Sequence, residues 1–347
     1  MNIFLQLSKW AKRQGENFAT DSFAITLSHL IENDPKVGGN VLNFLTGGLF
    51  EIDDAITGDI QITTQRNEGK GHGTPDMRIE STNKLALIEV KAGSPLGKDQ
   101  LLSYRQALES TAHPMTKLVL LTQYLTPLGE HYPDHSLRWY QLAQLLTDAR
   151  NHNPLSPTSS YLVDQFLEFL RRKNLALHEV RSRISESINK HRLGYGDDAI
   201  VFKRIKSLKR IAKHAELKPL HDVLHLMGSV LDHLGIEPKP RFDSGQQTGG
   251  WVGYNIESMK YWFCIYYSAP DTLVFETKLW KGERMPLTAP SVGEYFYMWK
   301  STYWRNLHDL GMEDGKFFTL SPEEQFNQVF DFAQTSFDHA VFEHTAA

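Results

Sequence analysis

Asp76, Glu89 and Lys91 are the residues of this 347-residue chain whose types and spacing could do chemistry. Asp76 follows a Gly-Thr-Pro entry; twelve residues separate it from Glu89, and Lys91 stands two further on. The run LALIEVKA (85–92) is apolar and strand-like. Side chains alternate faces along a strand, so Glu89 and Lys91 project from one side together with Leu85 and Leu87. Burying two charges beside leucines is costly unless they are paired or bound to something. A polar turn at 81–83 folds the preceding strand back, with Asp76 near its start, and this brings a second carboxylate toward Glu89. Two converging carboxylates repel unless a cation lies between them. Mg²⁺ accepts one or two carboxylates and completes its shell with water and phosphate. An ammonium beside it would position a water and stabilise charge growing on phosphorus. The chemistry implied is metal-assisted hydrolysis of a phosphodiester. The competing reading is an ion pair on an exposed edge strand.

The elements that must position these groups are legible around them. Residues 16–33 read as a helix, with Phe23, Leu27 and Leu30 at spacings of four and three. The Asp34-Pro35 step and Gly38-Gly39 are expected to stop it. QITTQ (61–65) reads as a strand, NEGKGHG (67–73) as a glycine-rich loop, and PDMRIES and LALIEVKA as a hairpin. A helix over 99–110, a strand over 117–122, a short strand near 136–138 and a further helix complete the region. The order α-β-β-β-α-β-α predicts an α/β domain with a mixed central sheet flanked by helices over residues 1–150.

The spacing of Pro75-Asp76 and Glu89-Val90-Lys91 resembles the PD-(D/E)xK nuclease superfamily. Gln100 and Tyr104, four apart on the following helix, resemble the Q-x-x-x-Y pair often seen there, and Glu16 opens a helix upstream as the family's extra acidic residue does. The resemblance covers roughly residues 10–150. It implies a restriction-endonuclease-like fold and Mg²⁺ (or Mn²⁺) held by Asp76 and Glu89. Lys91 would be the water-positioning cation, Glu16 an additional metal or outer carboxylate, and Gln100 a polar group lining the site. Glu16 reads equally as a helix-start carboxylate favoured by the dipole. By family precedent the substrate is DNA, and a homodimer would suit double-strand cleavage.

Beyond residue 150 the texture changes. NHNPLSPTSS (151–160) has linker composition. A helical basic segment is expected over 161–234 and a smaller α+β domain over 235–347, with about three antiparallel strands and then aromatic, helix-like sequence. The net charge is -4, yet Lys and Arg outnumber Asp and Glu by 14 to 5 over residues 171–218. Within that block Lys203, Lys206 and Arg210 share one helical stripe, which reads as a nucleic-acid backbone surface or as a solvated face. The aromatic residues of 251–304 are expected to fill a core rather than stack on bases. His72, in the glycine-rich loop, reads as incidental to it. The pair His221 and His225 lacks the glutamate of a zinc motif and reads as an ordinary helix face.

One cysteine, Cys264, excludes an internal disulfide and a thiolate metal cluster, so a reducing cytoplasm is expected. MNIFLQLSKWAKRQ reads as an amphipathic helix and not as a signal peptide, and no apolar run approaches membrane-spanning length. Function is therefore expected to be that of a cytoplasmic metal-dependent nuclease, with restriction, phage defence, repair and mobile-element settings all compatible. Two other readings stay open: a non-cleaving nucleic-acid-binding module, and a sensor whose C-terminal domain meets a regulatory ligand or protein partner and gates a nuclease.

Overall fold

In the computed structural model the chain forms two compact units, Met1–Ala176 and Leu177–Ala347. The structure describes residues 2–180 except 12–14, 58, 70–72, 93–95, 98, 124–131 and 178. Of the remainder it describes 218–236, 239–243, 249–256, 261–268, 272–280, 297–299, 303–308, 310 and 316–341.

The first unit opens with helices α1 (Ile3–Ser8), α2 (Gly15–Asn33), α3 (Pro35–Leu45) and α4 (Ile52–Thr57). Phe23, Leu27 and Leu30 are buried along one face of α2, as their spacing predicts. The Asp34-Pro35 step does end α2, but Pro35 then starts α3, because a first-turn residue needs no N–H partner. Gly38 and Gly39 sit inside α3 rather than stopping a helix. A Cβ on Gly38 would lie 2.6 Å from Ile31 N, and one on Gly39 2.9 Å from Ile52 Cα, so the pair permits close approach to α2 and α4.

Five strands follow: β1 (Gln61–Thr64), β2 (Met77–Glu80), β3 (Lys84–Lys91), β4 (Met115–Thr122) and β5 (His135–Arg138). They lie in the order β1-β2-β3-β4-β5. The β1–β2 and β2–β3 pairs are antiparallel, whereas β3–β4 and β4–β5 are parallel. Helix α5 (Gln100–Glu109) provides the crossover from β3 to β4. The domain is α/β with a mixed sheet.

Strand β3 occupies the middle of the sheet and is buried on both faces. Ala86, Ile88 and Val90 join the main core with residues of α2, α3, α6 (Trp139–His152) and α7 (Pro157–Arg172). Leu85 and Leu87 face Leu101, Tyr104 and Leu108 of α5. The edge-strand reading of Glu89 and Lys91 therefore fails.

The expected linker at 151–160 is shorter than its composition suggested. Ser156 caps α7, Pro157 occupies its first turn, and the Ser156 N–H and hydroxyl bond to the two Asp34 carboxylate oxygens at 3.1 and 3.0 Å. Phe166 of α7 stacks on Phe23 at 5.9 Å and meets Phe4 edge-on at 5.8 Å. This aromatic packing carries the first unit past residue 150.

In the second unit the described elements are α8 (Lys218–His233), β6 (Lys239–Asp243), β7 (Gly249–Ile256), β8 (Tyr261–Ser268), β9 (Thr272–Trp280), β10 (Tyr297–Trp299), β11 (Tyr303–His308), a 3-10 turn (Lys316–Thr319) and α9 (Pro322–Val341). The six strands form one antiparallel sheet in the order β10-β11-β9-β8-β7-β6. Of the aromatic sequence expected to be helix-like, α9 is a helix, but β10 and β11 pair as strands, since rings fit a pleated surface better than a helix interior. Strand β6 carries Pro240, which an edge strand tolerates. Among the described residues no helix is long and apolar enough to cross a membrane.

Candidate active site

The β2–β3 hairpin sets the site. Its ladder pairs Met77 with Ile88, and continuing that register places Asp76 opposite Glu89. Both carboxylates lie on the face covered by α5, and both residues are buried, Glu89 to 1% exposure. One Asp76 oxygen, Oδ2, accepts the Val90 N–H at 2.8 Å, and Oδ1 accepts the side-chain amide of Gln65 at 2.8 Å. Sequence reasoning missed Gln65, for nothing in the strand pattern QITTQ distinguishes its last residue.

Two groups meet at Glu89 Oε1. The Lys91 ammonium donates to it, and so does Gln100 Nε2 at 2.6 Å. The other oxygen, Oε2, is buried without a hydrogen-bond partner among the described residues. Glu16 reaches the same place from the start of α2: its Oε2 accepts the Ala92 N–H at 2.7 Å and its Oε1 lies 3.7 Å from Lys91 Nζ. Gln100 Nε2 also donates to the Tyr104 hydroxyl at 3.1 Å, and that hydroxyl donates to the Thr74 carbonyl at 2.9 Å, just ahead of Asp76. Asp76, Glu89, Lys91, Glu16 and Gln100 are thus brought together, with Tyr104 beside them.

Burial pushes the Glu89 carboxyl up to about 8, with the Asp76 charge adding to the rise and Lys91 opposing it. Burial pulls the Lys91 ammonium down, but Glu89, Glu16 and Asp76 outweigh it and hold Lys91 above its usual value. The Tyr104 phenol is raised by burial and by Glu89, which keeps it a donor.

Among the described residues no three His, Cys, Asp or Glu side chains converge as a metal cage. The fold offers a facing carboxylate pair, one of whose buried oxygens has no donor. That set fits a hard divalent cation that completes its shell with water and phosphate. It does not fit a zinc-type cage of three or four protein ligands.

Next to the site, Arg78 is clamped between Glu68 Oε2 at 2.7 Å and Glu80 Oε2 at 2.6 Å. The clamp fixes the base of the 67–73 loop, where Glu68 N–H meets Gly73 O at 3.0 Å. His72, Lys203, Lys206 and Arg210 lie outside the described residues. His225 is buried in α8, an ordinary core position.

Comparison of the chain with protein families, curated proteins and solved structures finds no match.

Proposed function

We propose that the first unit is a Mg²⁺- or Mn²⁺-dependent nuclease of the PD-(D/E)xK type, cleaving phosphodiester bonds of DNA. One observation carries the reading. Asp76 and Glu89 face each other in the middle of the sheet, a buried Glu89 oxygen lacks a donor, and Lys91 lies on the same face. The α-β-β-β-α-β order and the parallel β3–β4 crossover support a restriction-endonuclease-like core.

Asp76 and Glu89 would hold the cation, which when bound supplies Lewis-acid stabilisation and an acidified water. The protein's own groups do the rest. Lys91, kept protonated by the surrounding carboxylates, donates toward the attacking water and toward charge developing on the phosphoryl oxygens. Glu16, fixed by the Ala92 N–H, holds the lysine from its other side. Gln100 steers Glu89 Oε1 and leaves Oε2 for the cation. The second unit and the basic block of residues 171–218 would supply DNA contact, specificity or regulation.

The test is cleavage of supercoiled plasmid and single-stranded DNA with Mg²⁺, Mn²⁺ or EDTA, comparing wild type with Asp76→Ala and Lys91→Ala. Metal-dependent cutting that falls by about a hundredfold or more in both variants is expected. Binding of DNA without cutting, indifferent to metal, would instead identify a non-cleaving nucleic-acid-binding module.

A further inference from the structure

Gln65 follows β1 in a conformation that residues bearing side chains seldom adopt, with φ of 52°. Glycine is the usual occupant of this left-handed region, because it has no Cβ to crowd the backbone. What the glutamine adds is contact with Asp76. Its N–H donates to the Asp76 carbonyl at 3.1 Å, and its side-chain amide donates to Asp76 Oδ1 at 2.8 Å. The amide must present nitrogen here, since its oxygen would repel the carboxylate. With Val90 N–H on Oδ2 at 2.8 Å, donors from the two strands that flank β2 hold the two oxygens separately. Rotation of the carboxylate about its Cβ–Cγ bond would break both bonds at once. Each oxygen keeps a lone pair that these donors do not use.

We infer that Gln65 is a positioning residue for the Asp76 carboxylate, fixing the plane in which it meets a divalent cation. The inference rests on the proposed metal-ligand role of Asp76. Outer hydrogen bonds of this kind orient a ligand before the metal arrives, and their loss typically weakens metal affinity about 10- to 100-fold. A residue serving only the turn would behave in the opposite way. Glycine would replace it without loss and would suit the backbone better.

The experiment measures the Mn²⁺ dissociation constant by calorimetry, without nucleic acid, on the full chain as wild type, Gln65→Gly, Gln65→Met and Asp76→Ala. Thermal unfolding in EDTA accompanies each titration. Gln65→Gly keeps the left-handed backbone and Gln65→Met keeps the side-chain length, and both remove the donor. Both are expected to weaken Mn²⁺ by about tenfold or more, while the Gly variant melts no lower than wild type. In cleavage assays kcat should fall with KM for DNA unchanged. Wild-type Mn²⁺ affinity in Gln65→Gly, with binding abolished by Asp76→Ala, would overturn the positioning role and leave the metal reading standing. Absence of Mn²⁺ binding in wild type itself would overturn both. If Gln65→Met fails to fold, Gln65→Gly alone decides.

Discussion

Changing Glu89 to glutamine removes a carboxylate that the metal-free fold holds against its own preference. The Glu89 carboxyl is raised from 4.5 to about 8, by burial first and by Asp76 second. The folded chain therefore binds this proton more tightly than the unfolded one. The resulting stability is fully present below about 4.5 and is lost as the pH climbs toward about 8. One proton allows a slope of at most about 1.4 kcal/mol per pH unit. Other groups act elsewhere on the pH scale. His135 is lowered from 6.5 by burial, so its contribution has the opposite sign and falls away only below 6.5. Lys91 is raised above 10.5 and titrates beyond the window. Among the described groups with a resolved shift, Glu89 dominates the slope between pH 6.5 and 8; the slope halves by pH 8, so metal-free protein should lose about 1.5 kcal/mol across it. Native-state hydrogen exchange of peptides spanning Lys84–Lys91, in chelator and corrected for intrinsic rates, reads this in the intact chain. Glu89→Gln should flatten the profile, and saturating Mn²⁺ should flatten it in wild type. A flat profile in metal-free wild type, or an equal fall in the glutamine variant, would refute the reasoning.

Gly38→Ala should destabilise the first unit by about 1–3 kcal/mol in urea unfolding, because the added methyl meets backbone of α2 rather than a side chain that can turn away. Arg78→Ala takes the shared cation from the partly buried Glu68 and Glu80, leaving Glu80 with Arg66, and should cost about 1–3 kcal/mol by the same measurement. In that variant the Glu80 carboxyl, now held below the usual carboxylate range by its bond to Arg78, should rise toward or above that range in a carbon-detected NMR titration.

The site was readable because its signals are local or periodic. Glu89 and Lys91 share a face by the alternation of one strand, and Asp76 meets them through a hairpin whose turn is written in residues 81–83. Gln100 and Tyr104 stand one helical turn apart on the element that follows. Glu16 is visible in the sequence only as the carboxylate that opens a helix, because its partner Ala92 is distant along the chain. What escaped notice depends on tertiary approach. Gly38 and Gly39 look like helix breakers until α2 and α4 are seen against them. Gln65 acts through a backbone angle that no residue pattern announces. The β10–β11 hairpin was hidden because consecutive aromatic residues satisfy a helical stripe and a strand face alike.

The aromatic seam of α7 also has a consequence in time. A chain emerging from the ribosome presents every charged group of the site, from Glu16 to Lys91, well before Phe166 and Phe169. The phenylalanines that close the core behind β3 come last: Phe166 and Phe169 stack on each other at 6.1 Å, with Phe23 against the first and Phe18 against the second. Domains fold as units during synthesis, so the β2–β3 hairpin that sets Asp76 opposite Glu89 emerges well before the helix that closes the core behind it. On the proposed reading, a half-made chain carries the cutting residues without the means to aim them, and translation itself delays the hazard.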